Sequence, residues 1–107
     1  MDLVKEIFQT LLQKEAIEPV ILDMTETPLM TDYFIVVTAN SQIHMKALRD
    51  SVLSILEKRS HPIIHYDKSL GYDWLIIDAG EIVVHVFTAK GREFYDLEGL
   101  WSDAKRV

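Results

Sequence analysis

The stretch DWLIIDAGEIVVHVF, residues 73–87, sets an aspartate, a tryptophan, a second aspartate and a histidine among apolar neighbours. Asp73, Asp78 and His85 are of the types that move protons or hold cations, and Trp74 is of the type that anchors macromolecular partners. Their spacing limits the chemistry. Asp78 and Glu81 flank Ala79-Gly80, and acids beside a turn commonly hydrogen-bond their own backbone. His85 lies mid-strand between Val84 and Val86, a setting more often structural than catalytic. The other histidines, His44, His61 and His65, are not at helical i, i+4 spacing. His61 and His65 could approach each other, but no acidic cluster completes a metal site, so no metal is expected.

Other reactive patterns are missing too. Ser41 has no flanking elbow glycines, and no P-loop or dinucleotide fingerprint occurs. The step TANSQIH presents helix N-terminal amides, a generic anion-holding property of helix starts. There are no cysteines, which removes disulfides, thiolate metal sites and thiol nucleophiles together. No cofactor is expected.

These residues must be positioned by a small scaffold. A chain of 107 residues is read as one domain, 1–107, with 49% hydrophobic residues to build its core. In residues 3–14, Val4, Phe8, Leu11 and Leu12 fall at i, i+4, i+7 and i+8, with Leu3 and Ile7 beside them, predicting a helix. Pro19–Met24 reads as a short strand, and TETPLMTD (25–32) as a loop. YFIVVT (33–38) is continuously apolar or β-branched, which predicts a strand covered on both faces. Asn40 or Ser41 caps a second helix with Met45, Leu48, Val52, Ile55 and Leu56 as its buried stripe. Ile63–Tyr66 is a further short strand, followed by the hairpin of 73–87. Phe94, Leu97 and Trp101 at i, i+3 and i+7 predict a short C-terminal helix with an aromatic edge. The order is α-β-β-α-β-β-β-α, an α/β fold with a mixed five-stranded sheet flanked by helices.

Two hairpin registers compete. A two-residue Ala79-Gly80 loop pairs Trp74 with His85 and places Trp74, Ile76, Val83, His85 and Phe87 on one face. It drives Ala79 toward a left-handed conformation at about 1 kcal/mol. A three-residue loop with a glycine bulge moves His85 and Phe87 to the face of Leu75 and Ile77. Sterics lean to the bulge. Trp101 is expected in the core; Trp74, beside Tyr72 and Asp73 at a strand's start, is the better interface candidate.

Charge and targeting narrow the partners. The net charge of −6 argues against phosphate backbone as the main contact and suits a basic protein partner. No run reaches the ~18–20 apolar residues of a membrane span, and the acidic, helically spaced N-terminus is unlike a secretory signal. A cytoplasmic protein is expected.

Three blocks in order, DYFIVVTANSQIHMKAL (32–48), DWLIIDAGEIVVHVF (73–87) and REFYDLEGLWSDA (92–104), resemble the ribosomal silencing factors, or Iojap family, across essentially the whole chain. The resemblance implies a nucleotidyltransferase-like fold and a cytoplasmic protein that is a homodimer when free. It implies docking on the fourteenth universal protein of the large ribosomal subunit, blocking subunit joining and repressing translation when nutrients are short. A role in ribosome biogenesis belongs to the same expectation. By position, the family's W-x-x-x-D-x-G block falls on Trp74, Asp78 and Gly80, and its H-V-F step on His85, Val86 and Phe87. The F-Y-x-L-E-x-L-W helix falls on Phe94, Tyr95, Leu97, Glu98, Leu100 and Trp101. One departure is Ala39, where many relatives carry glycine. The expected partner-binding set is Trp74, Asp73, Tyr72, His85 and Asp78.

Two alternatives stand beside this reading. A catalytic nucleotidyltransferase would need a Gly-Ser or Gly-Gly step and paired strand carboxylates for Mg²⁺; Asp23, Asp78 and Glu81 are not so spaced. A dimeric adaptor for another protein would use the same hairpin.

Overall fold

The computed structural model describes residues 2–107. The elements in chain order are α1 (Asp2–Gln13), β1 (Ile17–Asp23), β2 (Tyr33–Thr38), α2 (Gln42–Lys58), β3 (His65–Tyr66), β4 (Trp74–Asp78), β5 (Ile82–Phe87), α3 (Ala89–Tyr95), α4 (Leu97–Leu100) and β6 (Lys105–Arg106). The strands form one six-stranded sheet ordered β3-β4-β5-β2-β1-β6. β2 and β5 run parallel and all other neighbours antiparallel. The mixed α/β class read from the sequence is the one that forms. The additional strand is β6, which pairs with Leu22 and Asp23. Two charged residues carry no apolar periodicity by which a strand could be read.

The continuous run of β2 has the cause expected of it: Phe34 to Thr38 are all buried, in the middle of the sheet. On one face, Ile35, Val37, Leu75, Ile77, Val84 and Val86 pack under α1 and α2. Ser41 is the N-cap of α2, its hydroxyl accepting from the His44 N–H at 3.0 Å. His44 returns the favour, its Nδ1 accepting from the Asn40 N–H at 3.0 Å, so this histidine completes a helix cap. In α1 the buried line is Val4, Ile7 and Leu11, while Leu12 of the expected stripe is 41% exposed. Pro19 sits where the β1–β2 register shifts, the place a sheet tolerates a residue without an N–H.

The hairpin takes neither expected register. Trp74 pairs with Phe87, Ile76 with His85 and Asp78 with Val83. The Ala79 N–H donates to the Ile82 carbonyl at 2.9 Å, so the two loop residues are Gly80 and Glu81. Gly80 takes the positive φ of +85°, which glycine adopts without a Cβ penalty. Shifting the turn by one residue spares Ala79 the left-handed conformation and needs no bulge. The face of Trp74, Ile76, Val83, His85 and Phe87 is the one that the two-residue alternative proposed.

The C-terminal helix also departs from expectation. Asp96, at φ 45° and ψ 53°, ends α3 and caps α4, its carboxylate accepting from the Gly99 N–H at 3.2 Å. The break turns Phe94 and Leu100 outward, 77% and 72% exposed, while Leu97 and Trp101 join Leu22, Phe34, Val36 and Phe87 on the second sheet face.

Candidate partner-docking groove

β4 begins at a groove of about 1070 Å³ between the 63–73 segment and the end of α3. Ile64, Tyr66, Lys68, Tyr72, Trp74 and Tyr95 are among its lining residues. Trp74 is half-buried: its ring stacks on Phe87 at a centroid distance of 5.1 Å and leans on Tyr95 at 4.8 Å. Phe94 meets Tyr95 edge-on at 5.0 Å, and Tyr72 is 66% exposed. An aromatic rim is therefore continuous from the sheet through Tyr95 to Phe94.

α2 holds the far wall. The Gln42 side-chain amide donates to the Tyr72 carbonyl at 3.1 Å and accepts from the Gly71 N–H at 2.9 Å. Arg49, buried under the same loop, donates to the carbonyls of Asp67 and Lys68 at 3.3 and 2.9 Å. The near wall is tied through Asp73. Its carboxylate accepts from the Thr88 hydroxyl at 2.9 Å, and its carbonyl accepts from the Thr88 N–H at 3.0 Å. Thr88 in turn caps α3, accepting from the Gly91 N–H at 3.0 Å. A side chain at position 91 would collide with the Asp73 backbone, so Gly91 lets α3 close on the start of β4.

Of the five residues expected at the site, Tyr72, Asp73 and Trp74 line this groove. His85 lies beneath, only 4% exposed, and meets the rim through Trp74, whose indole N–H donates to its Nδ1 at 3.1 Å. Burial pulls its pKa down to about 4 and keeps the ring neutral. Asp78 is at the opposite end of β4, about 13 Å away at strand rise, where its carboxylate accepts from the Gly80 N–H at 2.9 Å. His61 and His65 do not meet. His61 pairs with Glu81 at 2.6 Å, a hydrogen bond that raises its pKa, and His65 faces Asp67 at 3.3 Å. No group of three or more His, Cys, Asp or Glu side chains arranged to hold a metal occurs among the described residues. No helix among them is long and apolar enough to cross a membrane.

Gln42, Arg49 and Gly91 were not singled out by sequence, and Tyr95 only as a position of the family's F-Y-x-L-E-x-L-W helix. Gly91 had a local signal, a glycine inside a helical stretch. The others reach the groove from 18 or more positions away, which no local pattern encodes.

A mixed sheet with α1 and α2 on one face, the short α3 and α4 on the other, and an aromatic-rimmed groove beside them defines the class: a small α/β protein of the kind seen in two crystal structures. One, from Chromobacterium violaceum, matches with a TM-score of 0.88 at 29% identity, over 94% of this chain and 84% of that one. The other, from Bacillus halodurans, gives 0.82 at 28% identity, over 99% and 96%. The family profile described as "Ribosomal silencing factor during starvation" matches residues 1–107. The ribosomal silencing factor RsfS of Bacillus subtilis is 34% identical over 94 residues, 85% of this chain and 77% of that protein. The mouse protein called "Mitochondrial assembly of ribosomal large subunit protein 1" is 33% identical over 75 residues, 67% of this chain and 33% of that protein. The chain belongs to the ribosomal silencing factor family.

Proposed function

We infer that this chain represses translation in the cytoplasm by occupying the free large ribosomal subunit. Its groove docks on the fourteenth universal large-subunit protein, and its bulk then obstructs joining with the small subunit. The observation that carries the reading is the half-exposed Trp74 on an aromatic rim continuous with Tyr95 and Phe94, in a groove that the exposed Tyr72 also lines. Aromatic anchors of this kind dominate interface energies because they bury much area at little entropic cost. The names of the relatives, a ribosomal silencing factor and a mitochondrial assembly protein of the ribosomal large subunit, favour the large subunit as the target. A net charge of −6 favours a basic protein over rRNA phosphates.

A blocker acts by shape and affinity and requires no reacting groups, so the mechanism assigns no catalytic residue. In the free chain the same exposed rim is available to a second copy, which accounts for the homodimer that the family resemblance implies.

The test is sedimentation of the purified protein with separated ribosomal subunits. Co-migration with the large subunit, together with fewer joined ribosomes, is expected. Co-migration with undiminished joining would remove the steric mechanism. No co-migration would remove the partner.

A further inference from the structure

His85 is hard to explain as packing. It sits 4% exposed among Phe34, whose ring meets it edge-on at 4.4 Å, and Phe87, at 6.4 Å. Nε2 is buried and has no hydrogen-bond partner among the described residues. An aliphatic side chain would fill the position with no polar atom of its own to satisfy, at the loss of the acceptor for the Trp74 indole. The one side-chain hydrogen bond of His85 among the described residues is received at Nδ1 from the indole of Trp74, at 3.1 Å. Because Nδ1 accepts, the proton of the neutral ring is on Nε2, the unpartnered nitrogen. The arrangement sacrifices one nitrogen to aim the other.

The target of that bond is the anchor of the groove. In the strand register Trp74 lies opposite Phe87 and His85 opposite Ile76, so the bond crosses the ladder diagonally. Stacking on Phe87 constrains the plane of the indole; the diagonal bond constrains which edge points inward. The residue so held is one that lines the groove.

We propose that His85 is a positioning residue for docking, holding the Trp74 indole in a single rotamer through its Nδ1 acceptor and so presenting a preorganised anchor to the partner. This rests on the docking reading above. An indole held before the encounter has no rotamer freedom left to lose on binding, and the absence of that constraint weakens binding about three- to tenfold.

The experiment compares the full-length protein with W74A, H85L and H85N. In Asn the Oδ1 hangs from Cγ as Nδ1 does, so H85N keeps an acceptor that H85L lacks. Two readouts are taken: affinity for purified large subunits, and the Trp74 indole N–H resonance, assigned by its disappearance in W74A. Thermal melting accompanies both. H85L is expected to melt no lower than the parent, to move the indole resonance to a solvent-exposed position and to bind about three- to tenfold more weakly. H85N is expected to return both readouts toward the parent, which a merely space-filling histidine would not predict. An H85L variant with the parent's resonance and affinity overturns the proposal. So does weak binding by both variants with the resonance unmoved, since His85 would then act through the core. Should H85L fail to fold, H85N decides by the same two readouts. W74A binding as tightly as the parent sinks the docking reading instead, and the resonance alone then reports whether His85 sets the rotamer.

Discussion

The two faces of the sheet are built to different rules. Under α1 and α2 the strand residues Ile35, Val37, Leu75, Ile77, Val84 and Val86 are apolar and no more than 2% exposed. Across the sheet the cover is only α3, α4 and the tail. There Trp74, Ile76 and Val83 are half-buried, a neutral histidine is enclosed, and the adjoining rim is open. Close packing makes the first face sensitive to any lost methyl group. The second keeps its aromatic surface reachable, at the expense of complete burial. Burial is therefore nearly complete on one side, whereas the other, closed at Leu22, Phe34, Val36 and Phe87, opens toward the Trp74 end where the groove lies.

The largest effect should come from breaking the closed face. Ile35→Ala removes a fully buried side chain and should cost about 3 kcal/mol, measured by chemical denaturation. Val83→Ala, half-buried on the open face, should cost about 1 kcal/mol. Equal losses would erase the contrast.

Next is acid. His85 titrates near 4 when folded and near 6.5 when free, so the unfolded state binds more protons between those values. Stability from this group is full above about pH 6.5 and falls as pH drops toward 4, by about 3 kcal/mol in all. His61 has the opposite sign. Its pairing with Glu81 raises its pKa, so that contribution is present below its unfolded pKa and is lost as pH rises through the folded value. Denaturation at stepped pH should therefore show a shallower acid decline in H85L and, in His61→Gln, a weaker loss as pH rises past the unfolded histidine value. An unchanged acid limb in H85L would mean that the open face does not keep its histidine neutral.

Trp74→Ala comes third. As an anchor it should weaken large-subunit binding by about 2 kcal/mol, roughly 30-fold. Ile35→Ala, tested well below its melting temperature, should bind as the parent does. Weaker binding by both would show that the two faces are not separable.

How much of this was legible beforehand follows from the range of the interactions involved. The central strand was readable because a six-residue run without polar alternation has few other uses, and Ser41 because capping is local. The hairpin missed by one residue, since Gly80 can occupy either place of a two-residue loop and only the cross-strand partners choose. The C-terminal pattern Phe94, Leu97, Trp101 fits an unbroken helix. The break depends on Asp96 adopting a left-handed conformation and reaching Gly99, a signal contained in the D-x-x-G spacing but outweighed by the apolar period. The candidate site was half visible. Tyr72, Asp73 and Trp74 are consecutive, whereas Tyr95, Gln42 and Arg49 arrive by tertiary packing.

The smallest effect tests how the open side is held. Gln42 makes both its hydrogen bonds to the backbone of Gly71 and Tyr72, at 2.9 and 3.1 Å, and both are solvent-exposed. Gln42→Ala should therefore cost about 1 kcal/mol locally, because water replaces much of what is lost. Global melting should hardly move, since Arg49 still clasps the carbonyls of Asp67 and Lys68. Local opening at Gly71 should become about fivefold more frequent, read as faster amide exchange at that residue alone. Tyr72, carried on the same loop, would then lose part of its fixed placement at the rim, and subunit binding should weaken by less than in Trp74→Ala. Unchanged exchange at Gly71 would assign the loop's position to Arg49 alone. Faster exchange throughout β4 would instead make this loop part of the closed face's cooperative unit, since the opening would then not be confined to the groove.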